Sequence, residues 1–259
     1  MRWLCLLAAS AAPLYAQLQA GNEAGVSMGH IHLIVKDVDA QKKAWVDAFG
    51  AEPVKSGALD MLKLPGIFVI VSKGEPNGGT NGSSVNHIGI SVKDYPSIKA
   101  KVAAAGIGMQ ELTPNQQMFA SFPEDIRVEI MELKDQAAPV AFHHFHLSVV
   151  DGEATRAWYV KEFGAMAGSR RNLPAAMIPG GEVDYLRAQM PQAPTKGRSL
   201  DHIGFEVKNL EAFVKKLQAD GTTMDMPYTD MTQRIGLKIA FITDPVGTRI
   251  ELTEGLASK

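Results

Sequence analysis

HIHLIVKD (30–37), HIGISVKD (87–94), HFHLSVVD (144–151) and HIGFEVKN (202–209) are four versions of one eight-residue sentence, and each opens with histidine. They begin 57, 57 and 58 residues apart. Self-similarity at a fixed period marks a repeated supersecondary unit that cannot bury its apolar face alone. The sentence itself alternates apolar and polar residues over a β-branched stretch, which predicts a half-buried strand.

The segment after each strand is also repeated. A polar Asp or Asn (Asp37, Asp94, Asp151, Asn209) leads into a helical stretch, as in LEAFVKKLQADG (210–221), where Leu210, Phe213, Val214 and Leu217 recur at helical spacing. Gly50, Gly106, Gly164 and Gly221 stand where left-handed C-terminal caps are expected. Short strands and turns complete the unit, ending in IFVIVSK (67–73), IRVEIMEL (126–133) and TRIELTE (248–254). The expected unit is β-α-β-β-β. A single unit leaves one sheet face open, so four units imply two pairs. Segments rich in Gly, Pro, Ser and small polar residues at 74–84, 134–139 and 190–199 separate the units. The expected organisation is a leader over 1–16, a first paired domain over 28–133 with its internal break near 74–84, and a second over 141–256 with its break near 190–199.

Alternation puts Ile31, Leu33 and Val35 on one face of the first strand, toward the helix, and His30, His32 and Ile34 on the other. The same register gives His87, Gly89 and Ser91, then His144, His146 and Ser148, then His202, Gly204 and Glu206. If the strands curl, these residues line the inside of a cup. Two closing strands, RVEIME (127–132) and RIELTE (249–254), carry Glu129 and Glu251 between apolar neighbours. A buried carboxylate needs a partner. Two histidines and one carboxylate leave open positions on a divalent ion, and the chain can supply two such sets from His30, His87, Glu129, His144, His202 and Glu251. Imidazole and carboxylate suit Fe, Mn, Zn, Ni or Co. His32, His146 and Glu206 share the inward face and are candidates for general acid–base catalysis. Trp45 and Trp158 are expected in the core; Phe119, Phe122, Tyr185 and Tyr228 could line a pocket or pack.

The 259 residues are 46% hydrophobic and 21% charged, with a formal net charge of −2. That is ordinary globular composition, with no cationic field to attract nucleic acid or an anionic membrane. MRWLCLLAASAAPLYAQ (1–17) has one basic residue, an apolar run and small residues about Ala16, the layout of a secretory leader. Its only cysteine, Cys5, falls inside it, so the mature chain would have no thiol, which suits an oxidising compartment. Periplasmic or secreted location is expected, with no membrane association after cleavage.

Four such units, the opening HIGxxV strand and the closing DPVGTRIELTE (244–254) resemble the vicinal oxygen chelate superfamily, which includes glyoxalase I, extradiol dioxygenases, fosfomycin-resistance enzymes and bleomycin-binding proteins. The likeness covers the mature chain. It is strongest from LDHIGFEV (200–207) through FITDPVGTRIELTEG (241–255) and weaker at SFPEDIRVEIMEL (121–133). It implies an α+β fold of four βαβββ modules paired into two cup-shaped half-barrels, with metal held at the six residues above. It leaves open whether modules pair in sequence or are swapped, which would join His30 with His202 and Glu251, and His144 with His87 and Glu129. Glyoxalase I has a fourth ligand on the closing strand of the odd modules. Here that position reads as Ile70 and, in module three, as a residue near Arg187. The resemblance therefore implies a three-ligand, dioxygenase-like enzyme on a small oxygenated substrate, working as a monomer or homodimer. The alternative is a non-catalytic sequestering protein of the bleomycin-resistance type.

Overall fold

The computed structural model describes residues 17–259; the expected leader and Cys5 lie outside them. Module one comprises β1 (Val26–Val35), α1 (Val38–Phe49), β2 (Glu52–Ser56), β3 (Leu59–Leu64) and β4 (Ile67–Lys73). Module two has β5 (Val85–Val92), α2 (Tyr95–Ala104), β6 (Gly108–Thr113), β7 (Gln117–Phe122) and β8 (Ile126–Glu132). Module three has β9 (Val140–Val149), α3 (Gly152–Phe163), β10 (Met166–Arg170), β11 (Leu173–Ile178) and β12 (Gly181–Arg187). Module four has β13 (Leu200–Val207), α4 (Leu210–Ala219), β14 (Met224–Asp230), a single turn α5 (Thr232–Ile235), β15 (Lys238–Thr243) and β16 (Arg249–Glu254).

Each repeated Asp or Asn is a helix N-cap. The side chains of Asp37, Asp94, Asp151 and Asn209 accept from the backbone N–H of Ala40, Ser97, Ala154 and Ala212. This satisfies an amide that the first helical turn would otherwise leave bare. The strand therefore hands the chain to its helix at the same point in every module.

The sixteen strands form two eight-stranded sheets, an α+β arrangement of paired modules with unclosed, cup-like sheets. One runs β14-β15-β16-β13-β1-β4-β3-β2 and the other β10-β11-β12-β9-β5-β8-β7-β6. Module one therefore pairs with module four, and module two with module three. The expected halves 28–133 and 141–256 do not each form a sheet; of the two pairings open to the sequence, the chain adopts the swapped one. The physical reason is that β1 finds its antiparallel partner in β13, and β5 in β9. Local alternation specifies a face for each strand but no particular neighbour.

The helix-facing residues of both sheets share one apolar cluster with the helices. It includes Ile31, Leu33 and Val35 of β1, Phe145 and Leu147 of β9, and Trp45, Tyr95, Tyr159 and Phe213 from the helices, with Trp158 partly buried against it. Burial of such side chains contributes roughly 1.5–3 kcal/mol each. The inner face of the first cup (modules one and four) carries a second apolar cluster, with Met61, Phe68, Ile70, Ile239 and Phe241 roofed by Leu18 and Leu256. No helix among the described residues is long and apolar enough to cross a membrane.

Candidate metal centres

The histidines converge because of strand register. In the first cup His30 lies opposite Gly204, and His32 opposite His202. In the second cup His144 lies opposite Gly89, and His146 opposite His87. An HxH strand thus always faces an HxG strand. The glycines are steric requirements: a Cβ on Gly204 would sit 2.1 Å from His30 Cε1, and one on Gly89 2.0 Å from His144 Nδ1. Each odd-module histidine lays its ring over the glycine of the even module and so reaches the carboxylate beyond.

In the first cup, Nε2 of His30 and Nε2 of His202 each lie 2.9 Å from Oε2 of Glu251. The three ligand atoms fall within 4.8 Å of one another, and all three residues are buried. His202 Nδ1 contacts Asp201 Oδ1 at 2.6 Å; Arg249 donates to the same oxygen at 2.6 Å, and Gly197 N–H donates to Oδ2. Asp201 therefore fixes the proton on Nδ1 and turns the Nε2 lone pair toward Glu251. A lone pair facing a carboxylate requires a cation between them, either a proton or a metal ion. This is the carboxylate–histidine arrangement that orients metal ligands. Burial opposes charge on His202, but Asp201 and Glu251 overcome it and raise its basicity above that of a free histidine. Burial likewise opposes ionisation of Glu251, yet the hydrogen bonds from His202 and His30 hold it well below the usual carboxylate range. The donor set fits a divalent ion, and a cavity of about 440 Å³ lined by Ile70, Leu237 and Phe241 opens beside it.

The second cup repeats this plan with changed groups. His87 Nε2 and His144 Nε2 lie 3.0 Å from Glu129 Oε2, and His146 Nδ1 lies 3.1 Å from His87 Nε2. Asn86 replaces Asp201 as the partner of His87 Nδ1, at 2.8 Å, with Arg127 donating to it. With an amide in that place burial prevails, and the His87 pKa falls below that of a free histidine even though Glu129 favours its charged form. Arg170 enters the set: its Nε donates to Asp184 Oδ2 at 2.7 Å, and its Nη2 lies 3.3 Å from Glu129 Oε2 and 3.2 Å from His144 Nε2. Gln117 donates to Glu129 Oε1. Burial pushes the Asp184 carboxyl up to about 8 against the Arg170 charge. The cavity here is about 270 Å³.

The six expected ligands thus fall into two clusters, His30, His202 and Glu251, and His87, Glu129 and His144, with His146 completing the second. His32 lies on the inner face with its Nε2 2.7 Å from Ser72 Oγ; burial, reinforced by the His202 charge, takes its pKa down to about 3, so the ring stays neutral. His146 also falls to about 3, chiefly through burial. Glu206 is elsewhere engaged: it accepts from the Thr253 hydroxyl and from the backbone N–H of Gly255 and Ala257, tying down the C-terminal turn. Ile70 occupies the fourth-ligand position of the first cup, opposite His32. In module three that position is Asp184, opposite His146, and not a residue near Arg187. The correct alignment had a signal. Gly66, Gly180 and Gly247 all have positive φ, and each stands four residues before Ile70, Asp184 and Glu251 respectively. Phe119 lines the second cavity, Phe122 and Tyr185 are core residues, and Tyr228 packs against the core while lining a separate cavity beside α4. Sequence reasoning missed Asp201, Asn86, Gln117 and Arg170.

Residues 141–252, one module from each cup, match the family model of the glyoxalase/bleomycin resistance protein/dioxygenase superfamily. Over those residues the chain resembles the vicinal oxygen chelate superfamily. The whole chain shares the architecture of solved members. Glyoxalase I from Zea mays superimposes with a TM-score of 0.70 at 16% identity, over 90% of this chain and 94% of that one. A point variant of the maize enzyme gives 0.71 at 15%, over 90% and 95%. A Bacillus subtilis protein to which dioxygenase activity has been ascribed gives 0.64 at 15%, over 88% and 86%. At these identities the likeness to the vicinal oxygen chelate structures is one of fold. No curated protein sequence matches.

Proposed function

We propose that this chain is a divalent-metal-dependent enzyme acting on a small oxygenated substrate, with the ion held by His30, His202 and Glu251. The observation that carries this reading is the convergence of two histidine Nε2 atoms on one Glu251 oxygen, with Asp201 setting the His202 tautomer. A bound Fe, Mn, Zn, Ni or Co ion would supply Lewis acidity and a template for two neighbouring substrate oxygens. The chain's own residues do the rest. Ile70, Leu237 and Phe241 keep the cavity wall apolar and exclude water. His32, neutral and anchored on Ser72, offers a hydrogen-bonding group on the same inner face. Ile70 can neither ligate nor move a proton, so this cup supports a three-ligand, dioxygenase-like site rather than the proton shuttling of a glyoxalase I. Both cups are assembled within one chain, which supports a monomeric working unit.

The test is metal analysis of protein purified without chelators, followed by oxygen uptake on a catechol panel and isomerisation of methylglyoxal–thiol adducts. Bound metal with oxygen consumption supports the reading. Bound ligand without turnover would favour a sequestering protein, and thiol-adduct isomerisation would reassign the reaction. Export is part of the proposal, supported by the leader-like residues 1–16; N-terminal sequencing of secreted protein should begin at Gln17.

A further inference from the structure

The two cups differ at a set of matched positions. Strand register places Arg170 where the first cup has Ser56, Asp184 where it has Ile70, Gln117 where it has Ile239, and Ala175 where it has Met61. The small Ala175 and the polar Asp184 belong with a guanidinium that enters the second cup. In the first cup the corresponding Ser56 is engaged outside the set, its hydroxyl donating to the Ile235 carbonyl.

The occupancy of the two glutamates differs accordingly. Glu251 Oε2 meets two histidines, and no other protein donor reaches Glu251 among the described residues. Glu129 is already satisfied: Gln117 donates to Oε1, and Oε2 faces Arg170 as well as His87 and His144. The hydrogen-bonded network of the first cup contains Glu251, Asp201 and Arg249, an excess of one negative charge. That of the second sets two carboxyls, Glu129 and Asp184, against three guanidinium groups, Arg170, Arg171 (donating to Gln117) and Arg127 (donating to Asn86), so positive charge outnumbers negative. Arginine keeps its charge in any protein environment and presents a planar fork of donors suited to two carboxylates. A dication brought to Glu129 would sit within a few ångströms of that fixed charge.

We propose that the second cup carries its cation covalently: the Arg170 guanidinium, clamped between Glu129 and Asp184, occupies the position of a metal ion, so that the chain binds one divalent ion, in the first cup. This rests on the reading of the first cup as a metal site. It accounts for why the second cup, where His87, His144 and His146 all gather with Glu129, is the one furnished with an arginine.

Equilibrium dialysis of the full chain against Co²⁺, with metal counted by mass spectrometry and followed by the visible Co²⁺ spectrum, tests it. One ion per chain is expected for the wild type, none for Glu251→Gln, and one still for Glu129→Gln. Arg170→Ala should rise to two, with a second set of Co²⁺ bands. Arg170→Met, which keeps the apolar stem, guards against a folding defect and should also gain an ion. Two ions in the wild type with one lost in Glu129→Gln would overturn the proposal and leave the first cup's function standing. So would one ion in both Arg170 variants. No ion in the wild type would instead sink the metal reading of the first cup; in that case a gain in the Arg170 variants would still support Arg170 as the excluded ion's substitute, and no gain would overturn it.

Discussion

At the residue scale the chemistry turns on Asp201 and Gly204. Asp201→Asn reproduces the second cup's Asn86 in the first cup and removes the charge that makes His202 basic. Loss of such an outer partner weakens metal binding roughly 10- to 100-fold, and titration by competition with a chromophoric chelator should read that drop with little change in fold. Gly204→Ala drives a methyl into the His30 ring. Overpacking of this kind costs about 1–3 kcal/mol, so a lowered urea midpoint and loss of first-cup metal are expected together, whereas Gly89→Ala should spare that metal. The pH response comes from the same pair of groups, Glu251 and His202. Glu251 is depressed below 4.5, so its stabilising contribution is present above that value and is lost as pH falls. His202 is raised above 6.5, so its contribution is complete below that value and lost as pH rises through its folded pKa. In metal-stripped protein the pair is therefore strongest between 4.5 and 6.5. The stability difference between wild type and Glu251→Gln should peak in that window. Metal binding below pH 6.5, where the raised His202 is protonated, must expel that proton, which calorimetry in buffers of different ionisation enthalpy would detect as proton release.

At the element scale, each module depends on a capped junction between its first strand and its helix. Asp94→Ala should cost about 1 kcal/mol, read as a lower thermal midpoint with unchanged metal content, because Asp94 lies at the exposed start of α2 and away from both cups. These junctions, the first strands and the leading histidines were legible in the sequence because they are local: a period of two and a capping residue suffice. The outer strands were less so. β10, β11 and β12 fall among the short strands and turns that complete their unit, and nothing in MAGSR (166–170) announces that Arg170 will reach across a sheet to Glu129. The fourth-ligand position of module three reads as near Arg187 in the sequence, whereas the Pro-Gly turn shared at 65–66 and 179–180 aligns it with Asp184. The divergence of the second position, His in odd modules and Gly in even ones, could be seen but not explained until register set His30 against Gly204 and His144 against Gly89.

At the scale of the whole molecule, swapped pairing ties the two halves of the chain together. Each sheet takes one module from each half, so cutting the 134–139 linker should leave the fragments associated. With a protease site placed there, the nicked protein is expected to migrate as one species on a native gel and to separate only in denaturant; free halves would contradict the topology. The same topology fixes an order of assembly during synthesis. The second cup joins modules that are neighbours in the chain, so it can close before module four has emerged from the ribosome. The first cup cannot, because His30 and Glu251 are 221 residues apart. Until the final strand emerges, β1 waits with its histidines uncovered and one edge unpaired, the situation in which nascent chains most need shielding. The first cup is thus completed only after the second, and a chain stopped before β16 would hold a finished second cup beside an open first one.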